Sequence, residues 1–191
     1  MTKNIYTNML KAKSMKAASL FLENELKFIE ETLSEIKTIM TVIVVGCDDG
    51  MYYESIKKYC FNYIGIDPYA NNSRPDIFMM SFESYAKQRH VINKDKSIFI
   101  FWFNVLSHID IKSIANCFIE GDIIINSLWG KEQSDINARN KYYSTFDDKS
   151  IQYQTVLQTA KTSHSLNDIG IPFKSINDFY HSPNLFEVAY V

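Results

Sequence analysis

The stretch Thr41-Val-Ile-Val-Val-Gly-Cys-Asp-Asp-Gly50 decides the fold of this chain. It begins with a run of β-branched residues, Val42 to Val45, and then passes through two glycines, Gly46 and Gly50. β-Branched side chains suit a pleated surface, and an apolar run without polar alternation favours a strand that is buried on both faces. The stretch therefore predicts a strand of a parallel sheet that leaves through a tight glycine turn.

A second strand is expected shortly after the first. Residues Met51 to Cys60 carry apolar side chains at helical spacing, and Tyr63-Ile-Gly-Ile-Asp67 is again a short apolar run that ends in a carboxylate. A strand, a turn, a helix and a strand in this order match one right-handed crossover of a parallel sheet.

Upstream of this unit, apolar residues recur every three or four positions. They predict one amphipathic helix with the stripe Leu22, Leu26, Ile29, Leu33, Ile36 and Met40. The stripe is too short to favour a coiled coil, so we expect it to pack on the edge or face of the sheet. A dimer formed through this helix is the alternative.

Downstream, strand and helix patterns continue to alternate. Further strands are expected at 76–80, 97–103, 123–125, 150–158 and 184–191, with helices at 82–91 and after the N-cap residue Asp110. The polar residues 131–149 predict a long surface loop or lid. This order indicates one α/β domain over residues 1–191, with a helical appendage at 1–40 and an α/β core at 41–191 that has an antiparallel edge.

Composition excludes several classes of protein. The formal net charge is −2, from 20 basic and 22 acidic residues, which gives no general electrostatic case for a nucleic-acid-binding surface. No apolar run is long enough for a membrane span. The three cysteines, Cys47, Cys60 and Cys117, are far apart and lack metal-ligand spacing, so we predict a reducing, cytoplasmic location and no metal site.

A ligand site is expected where the predicted strands end. In open α/β sheets ligands bind beyond the carboxyl ends of the strands, where the strand order reverses. The turn from Gly46 to Gly50 and the carboxylate of Asp67 would both lie there, and such a carboxylate can accept both hydroxyls of a ribose. We therefore predict a nucleoside-containing cofactor. The alternative is a tight structural turn beside a helix-capping acid.

Charge narrows the choice of cofactor. Asp48 and Asp49 would repel a pyrophosphate, which argues against a dinucleotide, and no Gly-rich phosphate loop ending in Lys and Ser or Thr is present. The same carboxylates suit a ligand that carries an ammonium and a sulfonium. Nearby aromatic residues could add cation–π attraction: Tyr52, Tyr53, Trp102 and Phe103.

Four segments, taken in order, resemble class I S-adenosylmethionine-dependent methyltransferases. Val44-Val-Gly-Cys-Asp-Asp-Gly50 resembles the first motif of that family, and Tyr63-Ile-Gly-Ile-Asp67 its ribose-binding strand end. Phe103-Asn-Val-Leu-Ser-His-Ile109 is similar to the segment after the fourth strand, and Gly121-Asp-Ile-Ile-Ile-Asn126 to the fifth strand. The resemblance spans roughly residues 41–130 and implies an open, mostly parallel Rossmann-like sheet with helices on both faces.

The resemblance also implies a function and a site. It implies that S-adenosylmethionine is the cofactor, and that the residues around it are Gly46, Cys47, Asp48, Asp49, Gly50, Asp67 and Asn104. We expect methyl transfer to a small or medium-sized acceptor, with a nucleic-acid or protein acceptor as an open alternative. His108 is the expected general base, because it titrates near neutral pH. Trp129 and Lys131 are expected to line an acceptor pocket.

Two departures from the family pattern support a second hypothesis. The acid that the family usually places two residues before the first glycine is Val44 here, and the middle glycine is Asp48. The alternative function is therefore a methyltransferase-like domain that has lost the cofactor and acts as a structural or stimulatory partner subunit.

Overall fold

The computed structural model of the chain describes residues 15–36, 40–71, 74–144 and 163–191. Within these residues, seven strands form one sheet in the order β3-β2-β1-β4-β5-β7-β6. The strands are β1 Thr41–Val45, β2 Asn62–Ile66, β3 Ile77–Phe78, β4 Ser97–Phe101, β5 Ile123–Trp129, β6 Ser175–His181 and β7 Asn184–Tyr190.

The sheet is parallel except at one edge. Strands β3, β2, β1, β4 and β5 pair in parallel, whereas β7 lies antiparallel between β5 and β6. Strand β1 pairs with β2 on one side and with β4 on the other, so the strand order reverses between β1 and β4. The α/β fold class predicted from the sequence, including the antiparallel edge, is confirmed.

Helices lie around this sheet. In the described residues they are α1 Lys16–Glu35, α2 Tyr53–Ile56, α3 Phe82–Ile92, α4 Ile111–Ile114 and α5 Gln133–Ser144. Short 3₁₀ turns occur at Lys57–Tyr59, Val105–His108, Ala115–Cys117 and Leu166–Ile169. Among the described helices, none combines the length and the apolarity that crossing a membrane requires.

Two apolar layers cover the two faces of the sheet. Val42 and Val44 of β1 belong to the layer that holds α1, whereas Ile43 and Val45 belong to the layer that holds α3 and α4. All of β1 is buried, as expected for a central strand whose alternate side chains point to opposite faces. This two-sided burial explains the run of β-branched residues.

Helix α1 packs on the face of the sheet, as the sequence predicted. It begins and ends earlier than expected, and its buried side is Ala18, Phe21, Glu25, Phe28, Ile29 and Leu33. Phe28 stacks on Phe186 of β7, with ring centroids 4.1 Å apart. Ile29 and Leu33 of the predicted stripe are buried, whereas Leu22 and Leu26 are only partly covered, because Phe21 and Phe28 fill the space above β5 and β7. The dimer hypothesis for this helix stays a prediction.

The helix expected at 51–60 is shorter in the structure. Tyr52 adopts a left-handed conformation with φ 67°, so the helix begins only at Tyr53 and passes into a 3₁₀ turn at Lys57. A left-handed residue interrupts right-handed helical geometry, which is the physical reason for the late start.

The loop predicted at 131–149 is wrong over most of its length, because residues 133–144 form helix α5. Three of its residues, Asp135, Tyr142 and Tyr143, are buried. Asp135 accepts hydrogen bonds from the hydroxyls of Tyr180 at 2.6 Å and Ser182 at 2.7 Å, which ties the helix to the β6–β7 hairpin. Tertiary contacts therefore stabilise a helix whose polar sequence shows little amphipathic pattern.

At the far edge, the last strand expected at 184–191 is confirmed as β7, whereas its partner β6 was not predicted. Six of the seven β6 residues are exposed, so this edge strand lacks the apolar alternation that marks a half-buried strand. The strand predicted at 150–158 lies outside the described residues.

Candidate functional site

Unusual backbone conformations collect at the carboxyl ends of β1 and β4. In the described part of the chain, the non-glycine residues with positive φ are Asp48, Tyr52, Phe103 and Asn104, at 54°, 67°, 43° and 62°. Left-handed conformations are uncommon outside glycine and are found preferentially at functional sites. These two exits flank the point where the strand order reverses, which is the ligand position in sheets of this type.

The exits of β1 and β4 also contact one another. Gly46 has φ 78°, and its N–H donates to the carbonyl of Ile66 at 2.8 Å. A Cβ at Gly46 would lie 2.9 Å from Cγ2 of Val105, in the turn that follows β4. Both the left-handed conformation and this close approach therefore require glycine at position 46.

The carboxylate of Asp67 lies at the end of β2, beside the turn after β1. It is 4% exposed, and its oxygens accept the N–H groups of Asp48 at 3.0 Å and Tyr69 at 2.8 Å. These two bonds orient the carboxylate. A carboxylate accepts hydrogen bonds and donates none, so this group is of the type that binds hydroxyls such as those of a ribose.

The two carboxylates of the turn have different surroundings. Asp48 contributes its backbone N–H to Asp67, as described above. The carboxylate of Asp49 accepts both the N–H and the side-chain amide of Asn71, the latter at 2.8 Å. Asp49 thus joins the turn after β1 to the loop after β2. Gly50, with φ 91°, lies next to the side chains of Arg74 and Ile77.

Cys47 is a packing residue in this site. It is fully buried, and a Cβ on Gly65 would lie 2.8 Å from its sulfur. Burial, followed by the charge of Asp67, raises the pKa of the thiol to about 12. The thiol therefore stays protonated at neutral pH, which argues against a nucleophilic role.

Asn104 is the centre of the hydrogen bonding at the β4 exit. Its N–H donates to the carbonyl of Ser127 at 2.8 Å, and its side-chain oxygen accepts the hydroxyl of Ser107 at 3.1 Å. The hydroxyl oxygen of Ser107 in turn accepts the N–H of His164 at 3.3 Å. The carbonyl of His164 accepts the amide of Asn126 at 3.1 Å, so residues distant in sequence meet beside Asn104.

His108 ends the 3₁₀ turn that begins just after Asn104. Burial lowers the pKa of its imidazole to about 4, so the ring is neutral at pH 7. Its Nε2 has no hydrogen-bond partner among the described residues. Because burial opposes the charged form, the imidazole at this position is a weak base.

Trp129, which was expected to line an acceptor pocket, is completely buried. It packs on Phe21 at 4.6 Å between ring centroids and lies near Phe103 and Tyr142. Its neighbour in the prediction, Lys131, is exposed. Trp129 is therefore part of the core under α1.

Two residues near the site were not predicted. Glu25 of α1 is buried, and its Oε1 accepts the N–H of Phe103 at 2.7 Å. In the sequence it lies among other glutamates and resembles a solvated helix face, and only the true phase of the helix reveals it. His164 has Nδ1 3.6 Å from the Asp168 carboxylate. A His and an Asp four residues apart are too weak a pattern to single out.

The fold is similar to that of solved S-adenosylmethionine-dependent methyltransferases. One from Archaeoglobus fulgidus has a TM-score of 0.57 at 10% identity, covering 87% of this chain and 94% of that one. One from Anabaena variabilis has a TM-score of 0.52 at 12% identity, covering 87% and 84% of the two chains. No protein-family model matches the chain, and no curated protein matches it significantly. At this low identity the likeness shows that the chain shares the fold.

Proposed function

We propose that this chain is an S-adenosylmethionine-dependent methyltransferase that acts on a small or medium-sized acceptor. The observation that carries the proposal is that three features lie close together at the carboxyl ends of the parallel strands. The left-handed exits of β1 and β4 and the oriented carboxylate of Asp67 all lie beside the point where the strand order reverses. A fold supports many activities, so the proposal rests on this site.

The donor set fits a cationic nucleoside better than a phosphate ester. Asp67 places a buried and oriented carboxylate at the end of β2, where ribose hydroxyls would bind, and Gly46 and Gly50 have no side chains of their own in the turn. Asp48 places a negative charge in the same turn, which favours a ligand with positive charges. We propose that these residues and Asn104 hold the cofactor. When bound, the cofactor supplies a methyl group activated by a sulfonium.

The chain's own contribution to such a reaction would be mainly positioning. Aligning a nucleophile with the methyl group supplies most of the rate enhancement in a displacement of this kind. We propose His108 as the proton acceptor. Because its pKa is about 4, the imidazole is better suited to accepting a hydrogen bond than to removing a proton from a weakly acidic group. An acceptor atom that is nucleophilic without first losing a proton fits this arrangement best.

A small acceptor is proposed because the chain has no excess of positive charge. The formal net charge of −2 provides no field to attract a polyanion. A nucleic-acid or protein acceptor is the alternative. We also propose a cytoplasmic location, since Cys47, Cys60 and Cys117 are all free thiols.

A cofactor-free partner subunit is the second candidate function. Val44, which occupies the position of the family's usual acid, is completely buried in β1. The turn therefore provides no carboxylate at that position for the amino-acid end of the cofactor. This observation favours a chain that keeps the fold and has lost the ligand.

Calorimetric titration separates the two functions. We expect S-adenosylmethionine and S-adenosylhomocysteine to bind with micromolar dissociation constants, about 8 kcal/mol of binding free energy. The Asp67→Ala variant should bind at least about tenfold more weakly, because it removes the ribose acceptor. Asp178→Ala, an exposed carboxylate on the edge strand β6, is the matched control and should bind like the wild type. No heat at millimolar ligand would instead favour the partner subunit.

A further inference from the structure

Helix α5 carries an arginine that differs from the other arginines of the chain. Arg74 pairs with Asp76, and Arg89 pairs with Asp122. Arg139 is half-buried, yet it forms no ion pair with a carboxylate in the part of the chain that the structure describes. Its Nε is buried and has no hydrogen-bond partner among these residues. Removing a charged group from water is costly unless the charge is paired, so this guanidinium is suited to receive an anion.

Arg139 contacts the segment that reaches the candidate site from the far end of the chain. Its Nη1 donates to the hydroxyl of Ser163 at 3.4 Å. The next residue, His164, donates its N–H to the hydroxyl oxygen of Ser107, and that hydroxyl donates to the side chain of Asn104. A short series of contacts therefore connects the guanidinium of Arg139 to the exit of β4.

Tyr143 connects the same helix to the same exit. It follows Arg139 by four residues, and residues four apart lie on one face of a helix. Burial raises the pKa of the Tyr143 hydroxyl to about 12, whereas the side chains of Asn104 and Trp129 and the charge of Arg139 lower it. The Tyr143 hydroxyl is therefore close to Asn104, and the Arg139 guanidinium is close enough to act on it.

A guanidinium matches a carboxylate in both charge and shape. Its N–H groups form a planar fork that can donate two parallel hydrogen bonds to the two oxygens of a carboxylate. The surroundings of Arg139 favour a single negative charge over the roughly double charge of a phosphate monoester, because the carboxylate of Asp168 already lies 3.6 Å from Nδ1 of His164. A small carboxylic acid is therefore the ligand that this position fits best.

We propose that Arg139 binds a carboxylate of the methyl acceptor, so that the acceptor is a small carboxylic acid held beside Asn104. This inference rests on the proposed function and names the class of its substrate. Arg139 acts here as a binding residue that determines specificity, and it takes no part in the transfer of the methyl group.

An NMR titration with acetate tests the anion site without any cofactor. The Nε–H resonance of Arg139 is followed at constant ionic strength while acetate is added. We expect a saturable shift with a dissociation constant in the millimolar range, and no saturable shift with acetamide, which has nearly the same size and no charge.

Two variants show whether Arg139 is responsible. Arg139→Gln should weaken acetate binding by at least about tenfold, measured at the backbone amide of Tyr143. Lys141→Gln removes an exposed positive charge from the same helix, and it should bind acetate like the wild type. Equal affinity of Arg139→Gln and the wild type for acetate would overturn the inference. Should Arg139→Gln not fold, Arg139→Lys, which keeps the charge and loses the planar fork, should also bind acetate more weakly than the wild type.

Methyl transfer tests the role in the acceptor. The wild type is incubated with S-adenosylmethionine that carries a labelled methyl group and with the small-molecule fraction of a cell extract. We expect a labelled product that an anion exchanger retains, and at least about tenfold less of it with Arg139→Gln. A labelled product that the exchanger does not retain would overturn the carboxylate, and the absence of any labelled small molecule would overturn the small acceptor together with this inference.

The failure of this inference differs from the failure of the proposed function. If S-adenosylhomocysteine binds but acetate gives no saturable shift, the role of Arg139 fails and the proposed function stands. If acetate binds at Arg139 but S-adenosylhomocysteine does not bind, the proposed function fails and the acceptor role fails with it. Tighter binding of inorganic phosphate than of acetate would assign a phosphate ester to this position and overturn the carboxylic acid.

Discussion

The backbone conformation of one residue, Asp48, determines the path of the turn after β1. Asp48 stands where the motif that this turn resembles has its middle glycine, and it adopts a left-handed conformation with φ 54°. Asp tolerates this conformation better than most side chains, so the turn retains its shape and its N–H still reaches Asp67 at 3.0 Å. The substitution therefore adds charge to the turn without changing its path.

At the same scale, the buried imidazole of His108 predicts a pH-dependent stability. Its folded-state pKa of about 4 lies below the unfolded value of 6.5, so the unfolded chain binds the proton first as the pH falls. The free energy of unfolding should decrease between about pH 6.5 and pH 4, by roughly 3 kcal/mol for this group, and should lose no more from it at lower pH. Urea unfolding at several pH values measures this slope.

His108→Gln should remove that part of the slope, and His90→Gln should not, because His90 is exposed on α3. The same dependence on pH in wild type and His108→Gln would show that His108 is hydrated enough to take up its proton in the folded state.

At the scale of elements, helix α1 is part of the main apolar layer. The sequence predicted its existence, its packing on the sheet and, with Ile29 and Leu33, a part of its inward side. Phe21, Glu25 and Phe28 are buried, whereas Leu22 and Leu26 are only partly covered. The predicted stripe therefore differs from the buried side near the start of the helix, where the aromatic residues pack on the sheet.

Truncation of the inward side of α1 should therefore destabilise the fold. Phe28 is 8% exposed and stacks on Phe186, so Phe28→Ala should lower the free energy of unfolding by about 3–5 kcal/mol. Leu20 on the same helix is 42% exposed, and Leu20→Ala should change it by less than about 0.5 kcal/mol. Chemical denaturation of both variants compares the two sides of the helix. Similar losses in both variants would mean that α1 does not pack as described.

For the molecule as a whole, the proposed site and a buried ion pair lie at opposite ends of the parallel strands. The proposed site lies at the carboxyl edge. At the amino edge, the buried guanidinium of Arg89 pairs with the carboxylate of Asp122, with one contact at 2.8 Å, and Asp122 also accepts the N–H of Ser97 at 2.9 Å. This network joins α3 to the beginnings of β4 and β5.

Breaking the Arg89–Asp122 pair should lower stability without altering the site. Asp122→Ala leaves a buried guanidinium without its carboxylate, and we expect a loss of about 3–5 kcal/mol in the free energy of unfolding. In protein that remains folded, the dissociation constant for S-adenosylhomocysteine should stay within about twofold of the wild-type value. Unfolding by urea and calorimetry on the same sample measure both quantities. A large change in affinity would indicate that the two edges are coupled.

The sequence by itself determined the central strands, their parallel order and the positions of the turn from Gly46 to Gly50 and of Asp67. Apolar runs and glycine turns are local signals, because an uninterrupted run of β-branched residues fits few structures other than a strand buried on both faces. The tertiary structure alone decided that residues 133–144 are helical, that Ser175–His181 forms the edge strand, and that Glu25 reaches Phe103. These features depend on contacts between residues far apart in the chain, and a local sequence pattern does not indicate which distant residues will be in contact.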